Sequence, residues 1–335
     1  MGTSMAVKNK PLPSVTIVVP AYNAARTITS CVEACLAQDY SDVKVIVVDD
    51  GSTDDTTHIA RRYPVRYLRQ DNAGPASARN RGWRAARGEI VCFTDSDCVP
   101  AQDWVSRLIG EYASEEISGV GGTYDVANED NLLAACVHEE IVQRHLKMPK
   151  YVNYLGSFNV SYRRTVLEEV GGFDESYRIA SGEDNDLAYK VTKRGYKLVF
   201  TRKAQVAHYH PDNLWRYLRQ QFWHGYWRMK LYRQHPDMSG GDVYGGLLDF
   251  VQPPLCVGTL ALIPLALFWP LLWRLVGLLV LFDLGLQIPN TVRIVGRAGA
   301  IKLWALAPIT WLRGYARGLG MALGVGDFFV RRRDE

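Results

Sequence analysis

The sequence predicts an open α/β sheet followed by a membrane-associated helical region, and three observations predict it. Four short apolar runs alternate with helix-compatible stretches in the first half, carboxylates gather where those runs end, and an uncharged apolar stretch long enough to cross a hydrocarbon core occupies residues 255–273. Val15–Val19, Val43–Val48, Val65–Leu68 and Ile90–Phe93 are β-branched or apolar and short, as buried strands are. The stretches near Ala25–Gln38, Asp55–Tyr63, Pro75–Ala86 and Trp104–Ser114 suit helices, and strand-helix alternation implies a parallel sheet. In "DDGSTDDT" Gly51 permits a sharp turn, Ser52 and Thr53 can cap, and Asp54 and Asp55 suit a helix N-terminus. Beyond residue 118 the pattern is mixed. Helices are expected near Leu132–Leu146, Arg164–Val170 and Asp184–Arg194, and strands near Lys197–Phe200 and Gln205–His208, with no internal repeat.

Composition bounds the function classes. With 335 residues, 47% hydrophobic and 22% charged, the chain can bury a substantial core, and a formal charge of +4 is too small to argue for nucleic acid. Six cysteines without a C-x-x-C pair read as reduced, buried thiols, which favours a cytosolic face. After Lys8 and Lys10 comes a proline and then a strand-like run, so no signal for secretion is expected there.

The C-terminal region changes character after Pro253. "LCVGTLALIPLALFWPLLW" (255–273) and "LVGLLVLFDLGLQIP" (275–289) read as a membrane hairpin at about 255–289, with Pro264 and Pro270 able to break or kink it into a re-entrant pair. A last stretch at about 301–325 carries Arg313 and Arg317 one turn apart and reads as an interfacial or membrane helix. Residues 213–234 mix basic and aromatic side chains in the manner of a helix lying at a membrane surface. The expected organisation is a tail over residues 1–13, an α/β domain over 14–235 and a membrane-associated region over 236–335.

The polar motifs limit how a ligand is held. The first strand is followed by "PAYNAARTI", not by a glycine-rich dinucleotide fingerprint, and the chain has no P-loop. A nucleotide would therefore be gripped by side chains and a metal. Asp49 and Asp50, ending the second strand, can accept from a base N–H or a ribose hydroxyl, or Asp50 can simply cap the turn. Asp95 and Asp97 in "VCFTDSDCVP" point the same way from an extended segment, so their oxygens can converge on one hard divalent cation, or on cation and ribose together.

Taken in order, "VVPAYNA", "VIVVDDGSTDDT", "NAGPASARNRG", "FTDSDC", "GSFNVSYRR", "GGFDE" and "SGEDNDLAYKVTKRGYKL" resemble glycosyltransferase family 2, over roughly residues 14–235. The resemblance implies a GT-A fold, a Rossmann-like nucleotide-sugar-binding domain with a mixed central sheet. It also implies a UDP- or GDP-sugar donor and Mn2+ or Mg2+. Asp49 or Asp50 with Pro20, Tyr22 and Asn23 would cradle the nucleoside, with Arg79 near the nucleotide. Asp95 and Asp97 would form the D-x-D, Asp97 as the direct metal ligand, and His208 or His210 would stand where some relatives supply a third ligand. Asp184 matches the general base and Glu183 precedes it. Asn159, Gln220, Trp223 and Arg228 are candidates for the acceptor or closure region, although "QQFWHGYWR" departs from the Q-x-x-R-W segment of membrane-bound relatives. The expected protein is an inverting transferase on the cytosolic face of the cell or inner membrane, acting on a lipid-linked acceptor. A processive polysaccharide synthase and a decayed, non-catalytic scaffold are the alternatives. A sugar-nucleotide pyrophosphorylase is disfavoured by the missing glycine-rich phosphate loop.

Overall fold

The computed structural model describes residues 12–238 and 240–331. Most of the tail expected over 1–13, including Lys8 and Lys10, and the basic Arg332 and Arg333 lie outside the described residues. In chain order the first half runs β1 (Val15–Ala21), α1 (Ile28–Leu36), β2 (Val43–Asp49), α2 (Thr56–Ala60), β3 (Arg66–Arg69), α3 (Pro75–Ala85), β4 (Ile90–Thr94), β5 (Cys98–Pro100) and α4 (Trp104–Ile109). Then follow β6 (Ile117–Val126), α5 (Leu132–His145), β7 (Tyr151–Val152), β8 (Asn159–Arg163), α6 (Arg164–Val170), α7 (Glu183–Lys193) and β9 (Lys197–His208). The last elements are the long helices α8 (Leu214–Gln234), α9 (Leu247–Phe268), α10 (Leu272–Ala298) and α11 (Leu306–Gly324).

One sheet takes all the strands, in the order β3-β2-β1-β4-β8-β6-β9-β5, with β7 also on β9. β3, β2, β1 and β4 are parallel, as their helical crossovers require. β8 runs antiparallel to both β4 and β6, making the sheet mixed. Side chains alternate across it: Ile17 and Val19 face Ile28, Cys31 and Trp104 on one side, while Val18 faces Ala78, Trp83 and Leu187 on the other. The six cysteines are buried free thiols.

Two boundaries differ from expectation for identifiable reasons. The pair of strands expected near Lys197–Phe200 and Gln205–His208 is one strand, β9, because Arg202 and Lys203 in its middle stay exposed and interrupt only the apolar pattern. The hairpin is longer than 255–289. α9 and α10 run from Leu247 to Ala298, keep Pro253, Pro254, Pro264 and Pro289 inside helix, and leave Pro270 in the turn between them.

α9 and α10 are long and apolar enough to cross a membrane, with mean hydropathy 1.7 and 1.6, yet only 28% and 22% of their apolar windows are buried. A core helix of this composition would be mostly covered, so the exposed surface hints at association with a membrane. α11 packs differently. Its Gly320 is so close to α8 that an added Cβ would lie 1.9 Å from the Phe222 carbonyl oxygen, and a Cβ on Gly225 of α8 would lie 2.1 Å from the Arg317 carbonyl oxygen of α11. Arg313 and Arg317, expected at a membrane surface, instead turn inward, Arg313 onto Glu140 of the α/β domain and Arg317 onto Gln221 of α8 and Asp249 at the start of α9.

Candidate active site

β4 is buried along its length and ends at a bend, residues 95–97, from which β5 leaves to pair with β9. That antiparallel register sets Cys98 opposite His208 and so brings the His208 imidazole to the D-x-D bend, with Nε2 3.5 Å from an Asp97 carboxylate oxygen. Asp97, Cys98 and His208 place their donor atoms within 4.8 Å of one another. The Asp97 carboxylate is 45% exposed, whereas Cys98 is fully buried. A carboxylate oxygen and an imidazole nitrogen converging on open space suit Mn2+ well, and a hard cation has little use for the buried thiol. His210 stands one step back, its Nδ1 3.0 Å from the Nδ1 of His208, its ring 4% exposed and its Nε2 buried without a partner.

α3 supplies the second component. Its N-cap Gly74 has φ +94°, a conformation side-chain-bearing residues avoid, and Pro75 opens the helix. Asp50 fixes this entry by accepting from the Ala73 and Gly74 backbone N–H groups at 2.9 Å each. One turn further, the buried guanidinium of Arg79 reaches Asp95 Oδ1 at 2.7 Å and Glu183 Oε1 at 2.8 Å. Burial works against its charge, but the two carboxylates outweigh burial and hold Arg79 firmly protonated.

α7 begins with three acids in its first turn, where the helix dipole favours them. Their surroundings give each a different task. Glu183 is occupied by Arg79 and by the Ser181 N–H at 2.7 Å. Asp186 turns away to His235 and Lys190. Asp184 faces a cavity, with one oxygen 2.9 Å from the Asn185 N–H and the other 3.4 Å from the Tyr154 hydroxyl. Burial raises the Asp184 carboxyl, with Arg79, the Asn185 N–H and Arg228 opposing.

That cavity, about 410 Å³, is lined on one wall by Arg79, Asp95, Asp97, Glu183, Asp184, His208 and His210. Pro20, Tyr22, Asn23, Asp49 and Asp50 do not line it; they gather at the carboxyl ends of β1 and β2, beside β4 in the sheet. Tyr22 is 51% exposed, and Asn23 (φ +49°) accepts the Thr53 N–H at 2.8 Å, tying the two loops together. Asp49 is closed off by Ser52, Thr57 and Tyr67. Asp50 is likewise held by Gln70, Asn72 and the α3 entry, so both carboxylates shape this edge.

The family model described as glycosyl transferase family 2 matches residues 16–171. Glycosyltransferase AglE of Haloferax volcanii is 31% identical over 206 residues, covering 59% of this chain and 67% of that protein. The chain belongs to glycosyl transferase family 2. The pre-mycofactocin glycosyltransferase of Mycobacterium tuberculosis is 30% identical over 246 residues, and the family 2 chain described here covers half of that longer protein. In fold the chain resembles mannosyltransferase PcManGT from Pyrobaculum calidifontis, solved in complex with GDP-Man and Mn2+ (TM-score 0.60, 20% identity, 94% of this chain and 88% of that one). The likeness shows the GT-A-type core with C-terminal helices.

Two of the acceptor or closure candidates of this family 2 protein are placed elsewhere. Asn159 is 1% exposed, and its amide is spent on Thr123, Ala204 and Trp104, so it locks the sheet and offers nothing to a ligand. Trp223 packs against Phe222 and Tyr226 away from the cavity, which Gln220 and Arg228 do line. The sequence reading missed Tyr154, which reaches Asp184 from the loop after β7, and the cluster of Glu140, Arg144, Asp249, Arg313 and Arg317 on the far wall. The paired arginines of α11, one turn apart in an apolar stretch, were the only signal for that cluster.

Proposed function

We propose that this protein is a metal-dependent, inverting glycosyltransferase that moves a sugar from a UDP- or GDP-linked donor to a lipid-linked acceptor of polyprenyl type, at the cytosolic face of the membrane, in polysaccharide or glycolipid assembly. The single observation that carries the reading is one cavity bounded on one side by Asp97, His208 and Asp184 and on the other by residues of α8, of α11 and of the start of α9, the first helix of the apolar hairpin. Mn2+ fits the donor set of Asp97 and His208, whereas the Asp95 carboxylate is held by Arg79 and stands outside that cluster; when bound the ion would supply Lewis-acid neutralisation of charge on the departing nucleoside diphosphate. His210, bonded to His208, orients that imidazole rather than binding.

Asp184 is the general base. Of the two α7 acids that line the cavity, Glu183 is committed to the Arg79 ion pair, whereas Asp184 is held by the Asn185 N–H and the Tyr154 hydroxyl, and its raised proton affinity suits removal of a proton from an acceptor hydroxyl. A base acting on the acceptor hydroxyl, with Glu183 beside it committed to Arg79, fits one displacement with inversion. Glu183 holds Arg79, and Arg79 holds Asp95, so the base motif and the D-x-D stay in register. Tyr22 and Asn23, at the edge of β1, receive the nucleoside. Similarity to PcManGT, whose structure holds GDP-Man and Mn2+, supports the donor class. The buried free thiols support a reducing compartment.

The test is transfer by the full chain in detergent, with a panel of UDP- and GDP-sugars, Mn2+, and polyprenyl phosphate and diphosphate acceptors. Sugar-labelled lipid formed from one donor and abolished by EDTA supports the reading. Hydrolysis or transfer unaffected by EDTA contradicts it.

A further inference from the structure

The far wall of the cavity carries a charge arrangement that donor chemistry leaves unused. Arg313 donates both terminal nitrogens to Glu140, and Glu140 also accepts from Arg144 at 2.9 Å. Arg144 reaches the two oxygens of Asp249 at 2.6 and 3.1 Å, and Asp249 accepts from Arg317 at 2.7 Å. The contacts therefore run Arg313, Glu140, Arg144, Asp249, Arg317, with a cation at each end and one positive charge in excess. Arg228, in the same cavity, is matched separately by Asp242 at 3.2 Å. An excess charge in a largely desolvated wall is costly until an anion joins it.

Arg317 is the under-matched member. Its Nε donates to Gln221 at 2.8 Å and its Nη1 to Asp249, its Nη2 has no partner among the described residues, and its side chain keeps 26% exposure in the cavity wall. Its place in the fold narrows the ligand. Asp249 lies in the first turn of α9, and Gly318, one residue beyond Arg317, closes on the Pro253 carbonyl, an added Cβ there lying 2.5 Å away. The excess charge thus sits where the apolar helix leaves the polar domain. An anionic head group on a lipid chain occupies that level, head in the polar layer and chain in hydrocarbon.

We propose that Arg317, with Arg144 beside it, forms the binding site for the phosphate of a phosphorylated acceptor lipid. The site would take a phosphate or diphosphate ester of a long apolar alcohol and present the other end of the acceptor to Asp184. The guanidinium fork matches phosphate oxygens bidentately, which an ammonium cannot. The inference rests on the lipid-acceptor reading above, and the experiment separates its failure from failure of the transferase reading.

The full chain in detergent micelles is titrated with geranyl phosphate, with geraniol and with inorganic phosphate, and separately with UDP or GDP plus Mn2+, as wild type, Arg317→Gln and Asp249→Asn. Geranyl phosphate should bind wild type roughly tenfold or more tighter than either geraniol or inorganic phosphate. Arg317→Gln should remove that preference and leave nucleotide affinity unchanged. Asp249→Asn removes the competing carboxylate and should tighten geranyl phosphate, a change in the direction that structural damage does not produce. Geranyl phosphate binding no better than geraniol overturns the proposal. So does inorganic phosphate binding equally well, which marks a free-anion site, and so does equal loss of nucleotide in Arg317→Gln, which marks a donor-phosphate site. Wild type that binds geranyl phosphate but no nucleotide keeps the phosphate site and speaks against the transferase reading alone.

Discussion

Arg79 and Glu183 form an ion pair at 2.8 Å with each side chain only 2% exposed, and the other arm of the same guanidinium holds Asp95. Burial raises the Glu183 carboxyl and the Asp184 charge adds to this, while Arg79 opposes both, so the pair depends on keeping its partners together. Removing one member of a buried pair costs about 3–5 kcal/mol because the other charge is left unmatched. Glu183→Ala should therefore lose stability on that scale in chemical denaturation and also weaken nucleotide binding through Asp95. Full stability in the variant would remove Arg79 as the link between the two motifs.

Asp97 is half-exposed and faces His208, with which it shares a cluster of possible metal-donor atoms. Asp97→Asn should lower turnover by roughly 10²-fold or more with the circular dichroism spectrum unchanged. Calorimetry should show weaker nucleotide binding by wild type when EDTA is present. Turnover indifferent to EDTA would contradict the assignment of Asp97 and His208.

The rate should fall on the acid side at a pH above that of an ordinary aspartate. A base works deprotonated, and burial raises the Asp184 carboxyl against the opposing Arg79 of α3 and Arg228 of α8, with Glu183 of its own helix and Tyr154 of the neighbouring loop completing the surroundings. Activity is therefore present at high pH and lost as pH falls through that raised value. A pH profile of kcat flat down to pH 4 would be incompatible with Asp184 as base.

The α8–α11 contact needs glycine. At Gly320 a Cβ would meet backbone at 1.9 Å, whereas at Gly296 of α10 it would meet nothing within 4 Å. Gly320→Ala should lower the melting temperature by several degrees in detergent, while Gly296→Ala should leave it unchanged or raise it, since alanine favours helix by roughly 1 kcal/mol. Equal effects at the two positions would mean that α11 does not pack on α8 as described.

What could be read from the sequence follows from how local each feature is. The D-x-D was legible because Asp95 and Asp97 directly follow an apolar run, and the α7 acids because they open a helix behind Gly182. The distinct tasks of Glu183, Asp184 and Asp186 were not, since Arg79, Tyr154 and His235 come from distant elements. That Asp49 and Asp50 also accept from Tyr67 and from the backbone N–H groups of residues 73 and 74 was not legible, because those donors arrive through tertiary packing. Arg313 and Arg317 share one helical face whether that face meets lipid head groups or the carboxylates of Glu140 and Asp249, and spacing alone does not separate the two.

The central claim is that one cavity holds a donor site organised by Asp97 and a base, Asp184, that acts only on the acceptor. It is tested most directly by measuring nucleotide-sugar affinity in Mn2+ and sugar transfer to a lipid acceptor on the same preparations of wild type and Asp184→Asn. The account predicts that transfer falls by something on the order of 10²-fold or more while donor affinity stays constant. Transfer at the wild-type rate, or donor binding lost in step with transfer, would contradict it.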